Sequence, residues 1–259
     1  MDNERIIYKT CPLCNSHKIF EYMTGDCSDH ISYKPPLSPK ITWKKCLNCT
    51  HVFTDGYFSH EAMQIILGNT KDQAIVGVDV ERKRPVSAHM IEKVLPYQKS
   101  GLWLDVGYGD GSLIFTAQEY GFDVVGLDLR EQYVVAMKKI GYECYNKDIC
   151  EFEYDQQFSV ISMADVLEHT PFPTDCLVAA KRLLKKGGIL FLSMPNMDNI
   201  VWRVSTDQKC NPYWVEIEHY HNFSRKRLFS LLEEVGFTPE RYGISERYRM
   251  GMEVISVLN

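Results

Sequence analysis

Three groups of residues in this chain have the types and the spacing for chemistry. The first is 104-LDVGYGDGS-112, where Gly107, Gly109 and Gly111 alternate behind an apolar run and Asp105. Glycines let a backbone turn sharply and let a ligand reach main-chain groups with no Cβ in the way. The second is 11-CPLC-14 with 46-CLNC-49, two Cys-x2-Cys pairs. Four thiolates in two such knuckles can enclose a tetrahedral metal, zinc by default, with no open position for catalysis. The third is a set of histidines: His169 in Glu168-His169, and His219 and His221 in 218-EHYHNFS-224. An imidazole that titrates near neutral pH can take a proton from a hydroxyl or a carbon acid.

The glycine turn admits several ligands. A Walker-type phosphate loop ends in Gly-Lys-Ser/Thr, and no such lysine is present here. In the dinucleotide fingerprint Gly-x-Gly-x-x-Gly, Ser112 stands where the third glycine belongs. Asp128, in 123-DVVGLDLR-130, suits the hydroxyls of NAD and of other ribose ligands alike. A ligand-free turn is the bland alternative, and the joint presence of the glycines, Asp105 and Asp128 counts against it. Near the cysteine pairs, Cys27 and His30 in 26-DCSDH-30 share the knuckle spacing, and His51 follows the second pair. These three read as ordinary loop residues. Cys144, Cys150, Cys176 and Cys210 lie in or beside core-like segments and read as packing residues. For His169 the competing role is contact with a ligand without proton transfer, and for His219 it is support of the helix after Ser224. Tyr213, Trp214 and Tyr220 can line a ring pocket or fill a core.

The elements that must hold these residues change character near residue 100. Before it come turn residues, cysteines and 35-PPLSP-39. After it, strand-like runs over 102–106, 123–127, 143–146, 158–163 and 189–194 alternate with helical patterns over 112–120, 131–140 and 176–184. Such alternation predicts a parallel sheet with helices on both faces, with the glycine turn at the carboxyl end of its first strand, where ligands sit in open α/β sheets. Ser224 is placed as an N-cap of a helix over 225–235 closed by Gly236, and strands over 240–244 and 252–258 are close enough to pair as an antiparallel hairpin. The expected division is a zinc-binding module over 1–55, a weakly helical linker or lid over 56–100, and a ligand-binding domain over 101–259.

Asp105-Val-Gly107-Tyr-Gly109-Asp-Gly111 resembles the first motif of the class I S-adenosylmethionine-dependent methyltransferases, Asp/Glu-x-Gly-x-Gly-x-Gly. The resemblance continues through Asp128, Asp148 in 146-NKDI-149, 158-FSVISMADVLEHTPFP-173, 181-KRLLKKGGILFLSMPN-196 and 216-EIEHYHNFSRKRLFSLLEEVGF-237. It implies a doubly wound, mostly parallel seven-stranded α/β sheet with an antiparallel C-terminal hairpin, preceded by a small zinc-ribbon-like module similar to that of some deoxysugar methyltransferases. It also implies S-adenosylmethionine as cofactor. Asp105, Gly107 and Gly109 would meet its methionine end, with Gly111 completing the turn and Asp165 at the end of the fourth strand. Asp128 would meet its ribose, and Leu129, Asp148 and Ile149 its adenine. Tyr108 departs from the family's smaller residue and would crowd or stack on the methionine end. His169 and His219 are the expected catalytic bases, and Cys11, Cys14, Cys46 and Cys49 the ligands of a structural zinc. The acceptor implied is a small molecule, a carbohydrate or nucleotide-linked sugar first. The alternatives are an RNA methyltransferase whose zinc module grips the backbone, and a non-catalytic protein that binds S-adenosylmethionine.

Bulk properties narrow these choices. The chain has 259 residues, 45% of them apolar, enough for one sizeable core and a satellite module. Its net charge of -5 exerts no general pull on nucleic acid. The basic clusters 81-ERKR-84 and 225-RKR-227 are short and read as solvated helix faces. The Asn/Asp-Pro-Pro-Tyr/Phe motif of base-amine methylation is absent, since Ala164-Asp165-Val166-Leu167 stands there. The polar start MDNERIIYKT lacks an apolar signal region, and no run approaches the roughly 18 apolar residues of a membrane helix. The expected setting is a reducing cytoplasm. The expected partners are a small-molecule substrate and a second copy of the chain, without nucleic acid or membrane.

Overall fold

The computed structural model describes residues 5–68 and 75–259. Residues 69–74 of the expected linker lie outside the described residues. The first elements in chain order are β1 (Arg5–Ile7), β2 (Ile19–Asp26), β3 (Lys40–Cys46), β4 (Val52–Thr54), β5 (Gly56–Phe58) and α1 (His60–Leu67). Then come α2 (Val80–Val94), β6 (Gly101–Val106), α3 (Ser112–Glu119), β7 (Phe122–Leu127), α4 (Glu131–Lys139) and β8 (Glu143–Tyr145). They are followed by β9 (Phe158–Ala164), α5 (Pro173–Leu183), β10 (Leu184–Pro195), α6 (Ile200–Asp207) and β11 (His221–Asn222). The last are α7 (Arg225–Val235), β12 (Phe237–Ile244) and β13 (Gly251–Leu258). The observed α7 has the bounds expected from the sequence. Ser224 caps it, its hydroxyl accepting from the Arg227 N–H at 3.1 Å.

The chain divides into two compact units that do not follow sequence order. One comprises the described part of Met1–Thr70 together with Glu168–Pro173 and Pro195–Leu228; the other comprises the described part of Lys71–Leu167 with Thr174–Met194 and Phe229–Asn259.

The second unit holds a seven-stranded sheet in the order β12-β13-β10-β9-β6-β7-β8. β6 pairs in parallel with β7 and β9, β7 with β8, and β9 with β10. β12 and β13 form the antiparallel hairpin, Phe237 opposite Leu258. This is the doubly wound, Rossmann-like methyltransferase sheet that the motifs imply. Every residue of β9 is buried, as a central parallel strand requires when both faces are covered. Met90, Ile91 and Val94 of α2 and Leu113 and Ala117 of α3 pack with Trp103, Phe122 and Val160 of the sheet. Strand order reverses between β6 and β9, whose ends lie side by side with Val106 opposite Met163. That reversal opens a crevice at the carboxyl ends of the strands.

The first unit holds a four-stranded sheet, β11-β4-β3-β2, and the small β1-β5 pair. Its interior is aromatic. Trp43 and Trp214 meet edge to face at 5.7 Å, and the Trp43 indole N–H donates to the Trp214 carbonyl at 3.0 Å. Tyr8, Phe53, Cys11 and Cys46 form its second cluster.

Candidate functional site

The 104–112 turn opens at the β6 side of the crevice. Gly107, Gly109 and Gly111 all adopt positive φ, at 67°, 59° and 85°. Gly107 sits so close to the segment just after β9 that a Cβ on it would meet Val166 Cγ2 at 2.6 Å, and a Cβ on Gly111 would meet the Phe115 ring at 2.8 Å. At Gly109 the nearest atom to such a Cβ is 4.0 Å away, so the outer side of the turn is open to a ligand.

Two buried carboxylates flank the turn. Ser162, opposite Asp105 in the β6–β9 ladder, donates to Asp105 Oδ1 at 2.6 Å and itself accepts from the Trp103 indole at 2.8 Å. Burial pushes the Asp105 carboxyl up to about 7, although Ser162 and the charge of Arg247 pull the other way. Asp128 ends β7 and is 2% exposed. Its oxygens accept from the Gly109 N–H at 3.2 Å, the Arg130 N–H at 2.9 Å and the Arg130 guanidinium at 2.8 Å on each oxygen. Asp165, at a positive φ of 59°, lies at the end of β9, with the Ser193 hydroxyl at 3.3 Å and Arg247 Nη1 at 3.3 Å. Asp148 caps the 3-10 turn Ile149–Glu151 by accepting from the Cys150 N–H at 2.8 Å. Ile149 is buried and Leu129 is exposed. The Tyr108 ring is turned inward among Ile114, Tyr133, Val134, Met137 and Cys144.

A cavity of about 240 Å³ continues from the turn, lined by Asp110 and Ser112 and by Lys83, Ser87, Met90, Arg247 and Tyr248. Lys83 pairs with Asp110 at 2.5 Å. Sequence reasoning missed Lys83 and Arg247. Lys83 sits in a charge run that reads as solvated, and Arg247 lies beyond every motif.

The cysteine pairs build two equivalent knuckles. Asn15 N–H donates to Cys11 O at 2.9 Å and Thr50 N–H to Cys46 O at 3.0 Å, while Cys11 N–H reaches Ser16 O and Cys46 N–H reaches His51 O, each at 2.9 Å. Asn15 and Thr50 both take positive φ. Cys11 Sγ lies 3.6 Å from Cys49 Sγ and Cys14 Sγ lies 3.6 Å from Cys46 Sγ, and all four sulfurs fall within 4.8 Å of one another. Thiolates on a tetrahedral zinc at about 2.3 Å stand about 3.8 Å apart, so this donor set fits that ion. Cys27 and His30 stand outside the group. Cys27 Sγ faces Ser38 O at 4.0 Å and His30 Nε2 pairs with Glu216 at 2.8 Å. His51 is buried against His221, Nε2 to Nδ1 at 3.0 Å. Cys144 and Cys176 are buried, whereas Cys150 and Cys210 are exposed, so the last two are not packing residues.

The candidate bases come together in the first unit. The rings of His169 and His219 meet edge to face at 4.6 Å, and Glu168 joins them with its ligand atom within 4.8 Å. His169 Nδ1 is 3.0 Å from Glu218 O. Burial, with His169 beside it, carries the His219 imidazole down to about 3. Burial opposes the charge of Glu216, but His30's hydrogen bond and the nearby His219 outweigh it and bring its carboxyl down to about 2. His219 stacks on Tyr213 at 5.8 Å, and Tyr213 on Trp202 at 5.1 Å. Trp214 and Tyr220 are buried in this unit's core.

A methyltransferase-domain family model matches residues 81–242. The chain is 32% identical over 107 residues to the ubiquinone biosynthesis O-methyltransferase of Idiomarina loihiensis, covering 38% of this chain and 44% of that protein. The Coxiella burnetii enzyme of the same name is 31% identical over 120 residues, or 43% and 50% of the two chains. The chain therefore spans half or less of these curated relatives' length. Among solved structures, Burkholderia thailandensis 1,6-didemethyltoxoflavin-N1-methyltransferase, with 1,6-didemethyltoxoflavin and S-adenosylhomocysteine bound, aligns with TM-score 0.57 at 16% identity, over 82% of this chain and 97% of that one. Magnesium protoporphyrin IX methyltransferase from Synechocystis PCC 6803, with S-adenosylhomocysteine bound, aligns with TM-score 0.53 at 20% identity, over 79% and 90%. With the family model spanning well over half of the chain and the strand order and glycine turn in agreement, this chain belongs to the class I S-adenosylmethionine-dependent methyltransferase family.

Proposed function

We propose that the chain transfers a methyl group from S-adenosylmethionine to a small-molecule acceptor. The observation that carries this reading is the open glycine turn at the switch point, flanked by the buried carboxylates Asp105 and Asp128. S-adenosylmethionine has no phosphate, which agrees with a turn that lacks a phosphate-binding lysine, and it supplies a methyl group already activated on a sulfonium. Asp128 would accept from the ribose hydroxyls, and the turn's main chain with Asp105 would hold the zwitterionic end, Asp105 as the carboxylate. Lys83 and Arg247 line the cavity beside that turn and would meet a ligand carboxylate. Asp148, Ile149 and Leu129 would frame the adenine.

The chain's own chemical task is to take a proton from the acceptor. His169 is the base we assign to it. His219 is held neutral by burial and serves to orient its neighbour. The stacked rings of Trp202, Tyr213 and His219 have the flat apolar faces that sugars and other ring systems pack against. A carbohydrate or nucleotide-linked sugar is the first acceptor class to test. Cys11, Cys14, Cys46 and Cys49 would hold one structural zinc, which folds a segment too small for a core of its own.

Calorimetry with zinc-loaded protein tests the first step. S-adenosylmethionine is expected to bind in the micromolar range, and Asp128→Ala to abolish binding. A turnover screen led by nucleotide sugars, with His169→Gln beside the wild type, tests the second. His169→Gln should retain cofactor affinity and lose at least 100-fold in kcat. Absence of cofactor binding by the wild type would reject the reading.

A further inference from the structure

Asp148, Cys150 and Cys176 form a cluster that the proposed reaction does not use as such. We infer that they are a second metal site, for a soft divalent cation of the zinc class. Cys150 Sγ and Cys176 Sγ are 3.8 Å apart. That separation is too long for a bond between them and matches the edge of a tetrahedral zinc–thiolate site, about 3.8 Å for Zn–S bonds of about 2.3 Å. One ligand atom from each of the three residues lies within 4.8 Å of the others. Two thiols and a carboxylate select zinc or cadmium over magnesium or calcium, which require oxygen donors.

The carriers of these ligands are already held in place. Asp148 and Cys150 flank Ile149 on a single 3-10 turn, which the Cys150 N–H to Asp148 Oδ1 bond fixes at 2.8 Å. Cys176 comes from α5, and α5 is tied to the chain just after that turn by Arg182 Nη2, which donates to Phe152 O at 2.7 Å. Cys176 is buried and Cys150 is exposed, so an ion can enter from solvent and complete its shell with water. This arrangement is unlike the paired knuckles, because the ligands come from a turn and a helix, with no Cys-x2-Cys spacing.

Resting on the proposed cofactor site, where Asp148 and Ile149 frame the adenine, the cation and S-adenosylmethionine draw on the same turn. Binding of one must then weaken the other by the same factor. The experiment uses full-length protein kept reduced with a phosphine, loaded with zinc or cadmium, freed of excess by gel filtration, and assayed for metal per chain. Wild type is expected to retain two ions and the Cys150→Ser/Cys176→Ser double variant one. In the cadmium form, the thiolate charge-transfer absorbance should fall accordingly. Equal stoichiometry in a double variant with wild-type circular dichroism would overturn the site. Cofactor calorimetry with and without cadmium then tests the coupling. An affinity at least 5-fold weaker with cadmium in wild type, and unchanged in the variant, supports it; no change in wild type overturns the coupling and leaves the site standing. If S-adenosylmethionine fails to bind in either state, the cofactor reading fails while the metal count still decides the site.

Discussion

Asp105 carries the most informative ionisation at the candidate site. Its carboxyl is raised from an ordinary 3.8 to about 7 by burial. The folded chain therefore holds the proton more tightly than the unfolded chain does, and this cost to stability is absent below pH 4 and complete above about 7. Asp105→Asn should have nearly the wild-type Tm at pH 4 and a higher one at pH 8, the gain in unfolding free energy there being on the order of a few kcal/mol. An unchanged Tm difference between the two pH values would count against it. Cofactor binding that requires the carboxylate should also release protons below pH 7, measurable by calorimetry in buffers of different ionisation enthalpy. At Gly107 the constraint is steric. Alanine there must hold a φ of 67° with its Cβ 2.6 Å from Val166 Cγ2, so Gly107→Ala should cost roughly 2 kcal/mol or more, read by urea denaturation. That the turn would hold glycines was legible from their spacing. That Asp128 would be gripped by Arg130 was not, because a residue two positions away can face its neighbour or solvent with equal ease.

At the scale of elements, short-range rules worked where one element makes its own partners. Ser224 satisfies the first turn of α7 from a neighbouring position, and Ser224→Ala should cost about 1 kcal/mol. The knuckles are equally local, each closed by bonds within the segment. Cys46→Ser should lose one zinc per chain and the near-ultraviolet dichroism of the β2–β4 sheet, and retention of both would dispose of a structural role for the ion. Charge runs were less legible. Lys83 and Arg227 belong to clusters that read as solvated, yet Lys83 lines the cavity beside the turn and Arg227 is 7% exposed. Hydrophilicity records a residue's own solvation preference and says nothing of the partner that compensates its burial.

Across the whole molecule, the two units should respond oppositely to pH. His219 and His221 are carried down to about 3 by burial, and His51 is lowered as well. Their contribution to stability is complete above the ordinary histidine range and lost as pH falls towards 3. All three belong to the first unit. In a Trp103→Phe background the remaining tryptophans, Trp43, Trp202 and Trp214, report on that unit alone. Their fluorescence should shift to the red as pH drops below 6, and a flat profile to pH 4 would contradict the assignment. Because this unit gathers Glu168–Pro173 and Pro195–Leu228 with the N-terminal strands, a fragment over 75–259 should expose Trp214, which loses Trp43, and should bind a hydrophobic dye.

By itself the sequence determined the order of strands and helices after residue 100, α6 and β11 excepted, together with the glycine turn, the cap at Ser224 and the two knuckles. Each is written in periodicity or in residues a few positions apart, which backbone geometry reads directly. No helix among the described residues is long and apolar enough to cross a membrane. Only the tertiary structure decided that β6 and β9 would lie side by side and open the crevice, that Tyr108 would turn inward, and that Cys150 would face Cys176. It alone gathered His169 and His219 with the N-terminal sheet's unit. A strand's pattern records which face is buried and leaves its neighbour unspecified, so pairings between distant segments are settled only when the whole core packs.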